Sequence, residues 1–257
     1  MAIIKRSYGI VVRVLAMVAV LLVIKFVFHL IGFEFISLNP LFTGIIGANV
    51  FLLSFLLSGV LTDYKESEKI PGEIASVLIT ISDEFAAAYS TKKDETFIAG
   101  LKGCQKLNSN ILSWMYKKIS TKEILDEISL SYMELTRLEG LIAPNYIVRL
   151  KQENHNLRKL IIRTNTIRET DFISSGYLIA VTTTLFMLVG LLLLKIDPVI
   201  ESFFFIGVIS YVMIFLIVLI RDLDDPFGYS DKGSSEDVEI APLKDSLVDI
   251  DRKLKLS

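Results

Sequence analysis

Apolar residues in this chain gather into four long runs, at 10–33, 41–61, 172–194 and 202–220. A hydrocarbon core about 30 Å thick takes about 20 helical residues at roughly 1.5 Å each, so each run predicts a membrane-spanning helix. Between the second and third runs the pattern changes to apolar positions at helical spacing among charges. Residues 73–88 put Ile74, Val77, Leu78, Ile81 and Phe85 on one face. A second helix is expected over 96–118, with a break near Gly100 and Gly103, and Ser120 or Thr121 caps a third that runs to about Leu138. Residues 145–168 read as a long helix with Ile147, Leu150, Leu157, Leu160 and Ile161 on its apolar face, leading directly into the third span. After the fourth span come a turn, DDPFGY, a polar stretch, SDKGSSED, and a short amphipathic piece at 243–254. No strand pattern, repeat or low-complexity tract is visible. The pattern predicts an all-α membrane protein. Residues 1–62 hold the N-terminus and spans one and two, 63–171 a cytoplasmic helical block, 172–220 spans three and four, and 221–257 a cytoplasmic tail.

Charge sets the orientation. Lys5, Arg6 and Arg13 flank the start of the first span. The loop 34–40 has no Lys or Arg, and 195–201 has Lys195 alone. Basic residues concentrate in 62–171 and after the fourth span, so both ends and the long segment are expected in the cytoplasm. Arg13 and Lys25 interrupt the first run; both lie toward its ends, where they can snorkel to the headgroups. A cleaved signal peptide is not expected, because the run is long, contains Lys25 and is followed by no small-residue cleavage site.

Composition agrees with a membrane protein and narrows the chemistry. The 257 residues are 52% hydrophobic, and the mean hydropathy is +0.55. A net charge of −2 gives no reason to expect a nucleic-acid partner. A single cysteine, Cys104, excludes an internal disulfide or a Cys-rich zinc site. His29 and His155 stand far apart, against a His-based metal site. The phosphate-loop, dinucleotide, metalloprotease and serine-hydrolase motifs are all missing, so no catalytic residues are assigned and no enzyme is expected. The acidic residues of the middle segment fit a solvated helix face. Those of the final turn, Asp222, Asp224, Asp225, Asp231, Glu236 and Asp237, could offer oxygen ligands to a hard cation but match no EF-hand loop, and a plain acidic turn is the simpler reading.

One pattern in the second run does bear on function. Gly47, Phe51 and Phe55 recur every four residues and so share a helical face. Several copies of that face around an axis would form a narrow apolar neck able to gate by dewetting. The positive edges of the rings could meet a passing anion. On spacing alone, lipid contact or packing within one subunit is the commoner origin of such a stripe.

The stripe gains weight from its surroundings, which resemble the bestrophin family in a prokaryotic-type form. Asp224, Asp225, Pro226, Phe227 and Gly228 follow the fourth span and are similar to the acidic-Asn/Asp-Pro-Phe-Gly turn after the last bestrophin span. SFLLSGVLTDYKESEKIPG resembles the end of that family's second span, with Ser54-Phe55 in the Gly-Phe place. The order of elements agrees over nearly the whole chain, while specific motifs cover only about 40 residues.

The resemblance implies a homo-oligomeric ion channel, a pentamer embedded in lipid and passing inorganic ions. Monovalent anions such as chloride are expected, although the family also includes cation conductors. It implies a neck at Phe55, Phe51 and Gly47, where Gly47 replaces an apolar side chain. Counting back from the third span puts a second constriction near Ile147 or Val148. No cofactor is implied. YSDKGSSED stands where animal members carry the dense acidic run that holds calcium, which argues against calcium gating. The alternative is a non-conducting scaffold or sensor that binds a partner through its cytoplasmic helices.

Overall fold

The structure, a computed structural model, describes residues 2–169, 174–229 and 237–256. Nine helices and one short strand pair are found among them: α1 (Ala2–Leu30), β1 (Ile36–Ser37), α2 (Pro40–Ser67), α3 (Ile70–Lys92), α4 (Glu95–Met115), α5 (Thr121–Thr136), α6 (Pro144–Glu169), α7 (Ser174–Leu193), β2 (Leu194–Lys195), α8 (Val199–Asp224) and α9 (Ala241–Leu256). Four helices are long and apolar enough to cross a membrane, and each holds most of one apolar run. The start of the third run at 172, the passage from α6 into it, and the acidic positions Asp231 and Glu236 lie outside the described residues.

The chain divides into two compact units. The first holds α1, α7, α8 and all but the end of α2. Here α1 lies along α8, with Ile10, Val14 and Val18 against Tyr211, Phe215 and Val218. The α2 helix contributes Leu53, Leu56 and Val60 to a core shared with Ala180 of α7 and Met213 and Ile220 of α8. Beyond α1 the chain turns at Gly32, whose φ of 68° suits a residue without Cβ. It then pairs β1 with β2 in parallel, Ile36 opposite Leu194 and Ser37 opposite Lys195. This pair corrects the expectation of no strand. Two residues leave no room for the alternation by which a strand is read.

Lys25 also departs from expectation. Instead of snorkelling it is fully buried within the first unit, its Nζ 2.5 Å from Glu34 and donating to the carbonyls of Leu192 and Leu194. Glu34 in turn lies 2.9 Å from Nδ1 of His29. Burial pushes the Glu34 carboxyl upward, but the hydrogen bonds from Lys25 and His29 outweigh it and hold the group below the usual carboxylate range.

The second unit is a helical block in which α3 packs against α4, α6 and α9, and α5 against α6. Ile74, Leu78, Ile81 and Phe85 of α3 are buried, as the spacing predicts, together with Phe97, Leu101 and Trp114 of α4. The expected break at Gly100 and Gly103 does not occur, and α4 is continuous. Gly100 serves close approach: a Cβ there would lie 2.4 Å from the Phe85 ring. Ser120 caps α5 in a full capping box with Glu123. The amphipathic tail forms α9, where Lys253 meets Asp83 at 2.5 Å and donates to Ser82.

Candidate ion pathway

The α2 helix has two unlike faces. One is buried in the first unit through Leu53, Leu56 and Val60. A polar lock on that side involves Asn49, whose Nδ2 donates to Thr184 at 3.0 Å and whose Oδ1 accepts from Thr183 at 2.7 Å. Inside a membrane such groups must find partners in the protein, so this contact helps fix the rotation of α2 about its axis. The sequence signal, one Asn facing two Thr across 134 and 135 positions, is too distant to pair by inspection.

The opposite face carries Gly47, Phe51 and Phe55, all exposed, with Phe51 at 73% and Phe55 at 68%. Eight residues of α-helix separate the ends of this stripe by roughly 12 Å. Along the helix before, between and after the rings stand Gly44, Ala48, Ser54, Ser58 and Thr62, also exposed. The Ser54 and Thr62 hydroxyls donate back to carbonyls one turn earlier, at 2.8 and 2.9 Å. A Cβ placed on Gly44 or Gly47 would meet nothing within 4 Å. The outward faces of α1 and α7 differ, being dominated by bulky side chains such as Val12, Leu15, Val20, Leu178, Leu185 and Phe186.

The two residues expected at a second constriction part company. Ile147 is 6% exposed and belongs to the core of the second unit, whereas Val148 is 67% exposed. Adjacent helical positions are 100° apart, so a helix that buries one turns the other outward. A lumen could therefore be lined by Val148 and not by Ile147.

The turn after α8 has a structural character. Asp224 closes the helix, Asp225 follows it, and Pro226, Phe227 and Gly228 are buried. In the second unit the Phe227 ring lies 6.4 Å from that of Tyr229, which lies 5.7 Å from Tyr116 and donates its hydroxyl to Val238 at 2.7 Å. Among the described residues no group of three or more His, Cys, Asp or Glu could hold a metal ion. Cys104 is buried, and burial pushes its thiol up to about 12.

No protein-family model and no curated protein matches this chain. Solved structures do. A crystal structure of a bacterial bestrophin homologue from Klebsiella pneumoniae is 13% identical, with a TM-score of 0.73 over 95% of this chain and 97% of that one. A second crystal structure of the homologue gives 16% identity and a TM-score of 0.72 over 95% of both chains. A third, described simply as a membrane protein, gives 15% and 0.68 over 98% of this chain and 97% of its own. The chain thus has a bestrophin-like fold over nearly its whole length, an all-α architecture with four candidate membrane spans.

Proposed function

We propose that this chain is the subunit of an oligomeric ion channel that conducts monovalent anions such as chloride. Five copies would surround the pore, as in the family it resembles. The α2 helix lines it, Phe51 and Phe55 form the neck, and Gly47 leaves the first neck position wide. The second unit lies in the cytoplasm and surrounds a vestibule, with Val148 at its narrow point. The observation that carries this reading is the free face of α2. Glycine, alanine and hydroxyl residues together with two Phe suit close approach of helices around an axis, whereas the outward faces of α1 and α7 in the same unit are bulkier. An apolar ring of this kind controls flux by wetting and drying.

The test is ion flux from purified protein in liposomes, with the oligomer sized beforehand. Phe51→Ala with Phe55→Ala is expected to raise chloride flux. Phe51→Cys is expected to react with a water-soluble thiol reagent and lose flux, while buried Cys104 contributes no background. A stable monomer without flux would favour the scaffold reading, in which the second unit binds a partner protein.

A further inference from the structure

The α6 helix is rich in cations: Arg149, Lys151, Arg158, Lys159, Arg163 and Arg168 stand against Glu153 and Glu169. Their partners differ in kind. Arg149 is neutralised by Glu84 at 2.7 Å, and Arg163 by Glu66. Lys151 and Arg158 are held by neutral groups instead. The Lys151 ammonium sits 5.4 Å above the centre of the Tyr132 ring. Arg158 donates from Nη2 to the Ser129 hydroxyl at 2.9 Å. Among the described residues no carboxylate forms an ion pair with either. Glu127 is answered by Lys106, and Glu123 and Glu153 are held by the neutral donors Ser120 and Asn156 and pair with neither cation.

These two oriented cations, neither in an ion pair among the described residues, open on one groove of about 550 Å³, lined by Tyr132, Val148, Lys151, Asn154, His155 and Arg158. Neutral partners fix the direction of a charge without cancelling its field, and a guanidinium that spends one N–H on a hydroxyl keeps others to donate. Asn154 is 1% exposed and donates to Ser131, but its Oδ1 is buried without a partner.

We infer that this groove is a binding site for a hydrated monovalent inorganic anion, with Lys151 and Arg158 as its charge and donor groups. The inference deepens the channel reading and rests on it for one point, that Val148 borders the ion pathway. The groove then concentrates anions beside the narrow point and biases the current toward them.

The probe is chloride itself. The broadening of the chloride NMR line by the purified full chain reports binding without any need for conduction. Lys151→Gln with Arg158→Gln is expected to remove most of the broadening. Arg163→Gln, whose charge is already answered by Glu66, is expected to keep it. In liposomes the chloride-to-sodium permeability ratio should fall about fivefold per charge removed, since a unit charge roughly 8 Å away in water is worth about RT and acts with opposite sign on the two ions. Lys151→Arg with Arg158→Lys should restore both readouts. If the double Gln variant misfolds, Lys151→Gln alone decides, because it gives up only the contact with the Tyr132 ring. Unchanged line broadening in a folded variant overturns the groove and leaves the pore reading intact. Broadening that the variant loses, in a protein that passes no ions, upholds the groove and overturns the pore.

Discussion

A lysine in a membrane-spanning helix can keep its charge by reaching the headgroups or by finding partners inside the protein. Lys25 takes the second course, and Glu34 with the carbonyls of Leu192 and Leu194 supplies the partners. Removing one half of such a pair costs more than removing both, because the remaining charge stays buried. Glu34→Ala is therefore expected to destabilise the detergent-solubilised protein by about 3–5 kcal/mol, and Lys25→Met with Glu34→Leu to leave stability near the starting value. Thermal unfolding of the two variants checks this; equal losses would mean that the charge pair is not what holds the site. The same group gives a pH dependence. Glu34 is held below its ordinary value, so its contribution is present above the unfolded carboxylate value of about 4.3 and is lost as pH falls through the lower folded value. The unfolding temperature should thus lose this contribution only in acid, below about pH 4, and Glu34→Gln should lack that part of the slope.

At the scale of the element, α2 shows which features a sequence reveals and which it hides. The four-residue spacing of Gly47, Phe51 and Phe55 predicts a shared face, and the three residues are exposed together. Periodicity cannot say which way a face turns, and here that depends on Asn49 finding Thr183 and Thr184 on another helix. Ile147 and Val148 illustrate the same limit, since counting residues proposes the pair without distinguishing them, and packing buries one and exposes the other. Gly100 was legible as a glycine but not as the seat of Phe85, because its neighbour comes from another helix. The Lys25–Glu34 contact was hidden for a simpler reason: a lone charge near a helix end has a local explanation in snorkelling. Gly47 offers a test of the face. A Cβ there meets nothing, so Gly47→Ile fits the subunit and removes a helix-interior glycine, worth several tenths of a kcal/mol in propensity. The variant should fold at least as well as the parent and, if this face lines the pore as proposed, pass fewer ions, because it adds a third apolar ring. Undiminished flux through a stable Gly47→Ile protein would place this face against lipid.

At the scale of the whole molecule, an even number of spans returns the chain to the side on which it began. If all four candidate helices span, as we propose, both ends and the long segment between the second and third share one side, with the short loops on the other. The distribution of Lys and Arg predicts that the shared side is the cytoplasm. Two exposed positions test this directly. Leu38 lies between α1 and α2 and is 57% exposed; Met133 lies on α5 and is 59% exposed. Cys104 is buried with its thiol pushed up to about 12, so each new cysteine can be read without background. A membrane-impermeant thiol reagent should label Leu38→Cys in intact cells and Met133→Cys only after permeabilisation. The reverse pattern would invert the protein and turn the vestibule, with Val148 and the groove on α6, to the outside. Labelling of both positions in intact cells would remove one span from the count and, with it, the proposed role of α2 as a pore-lining span.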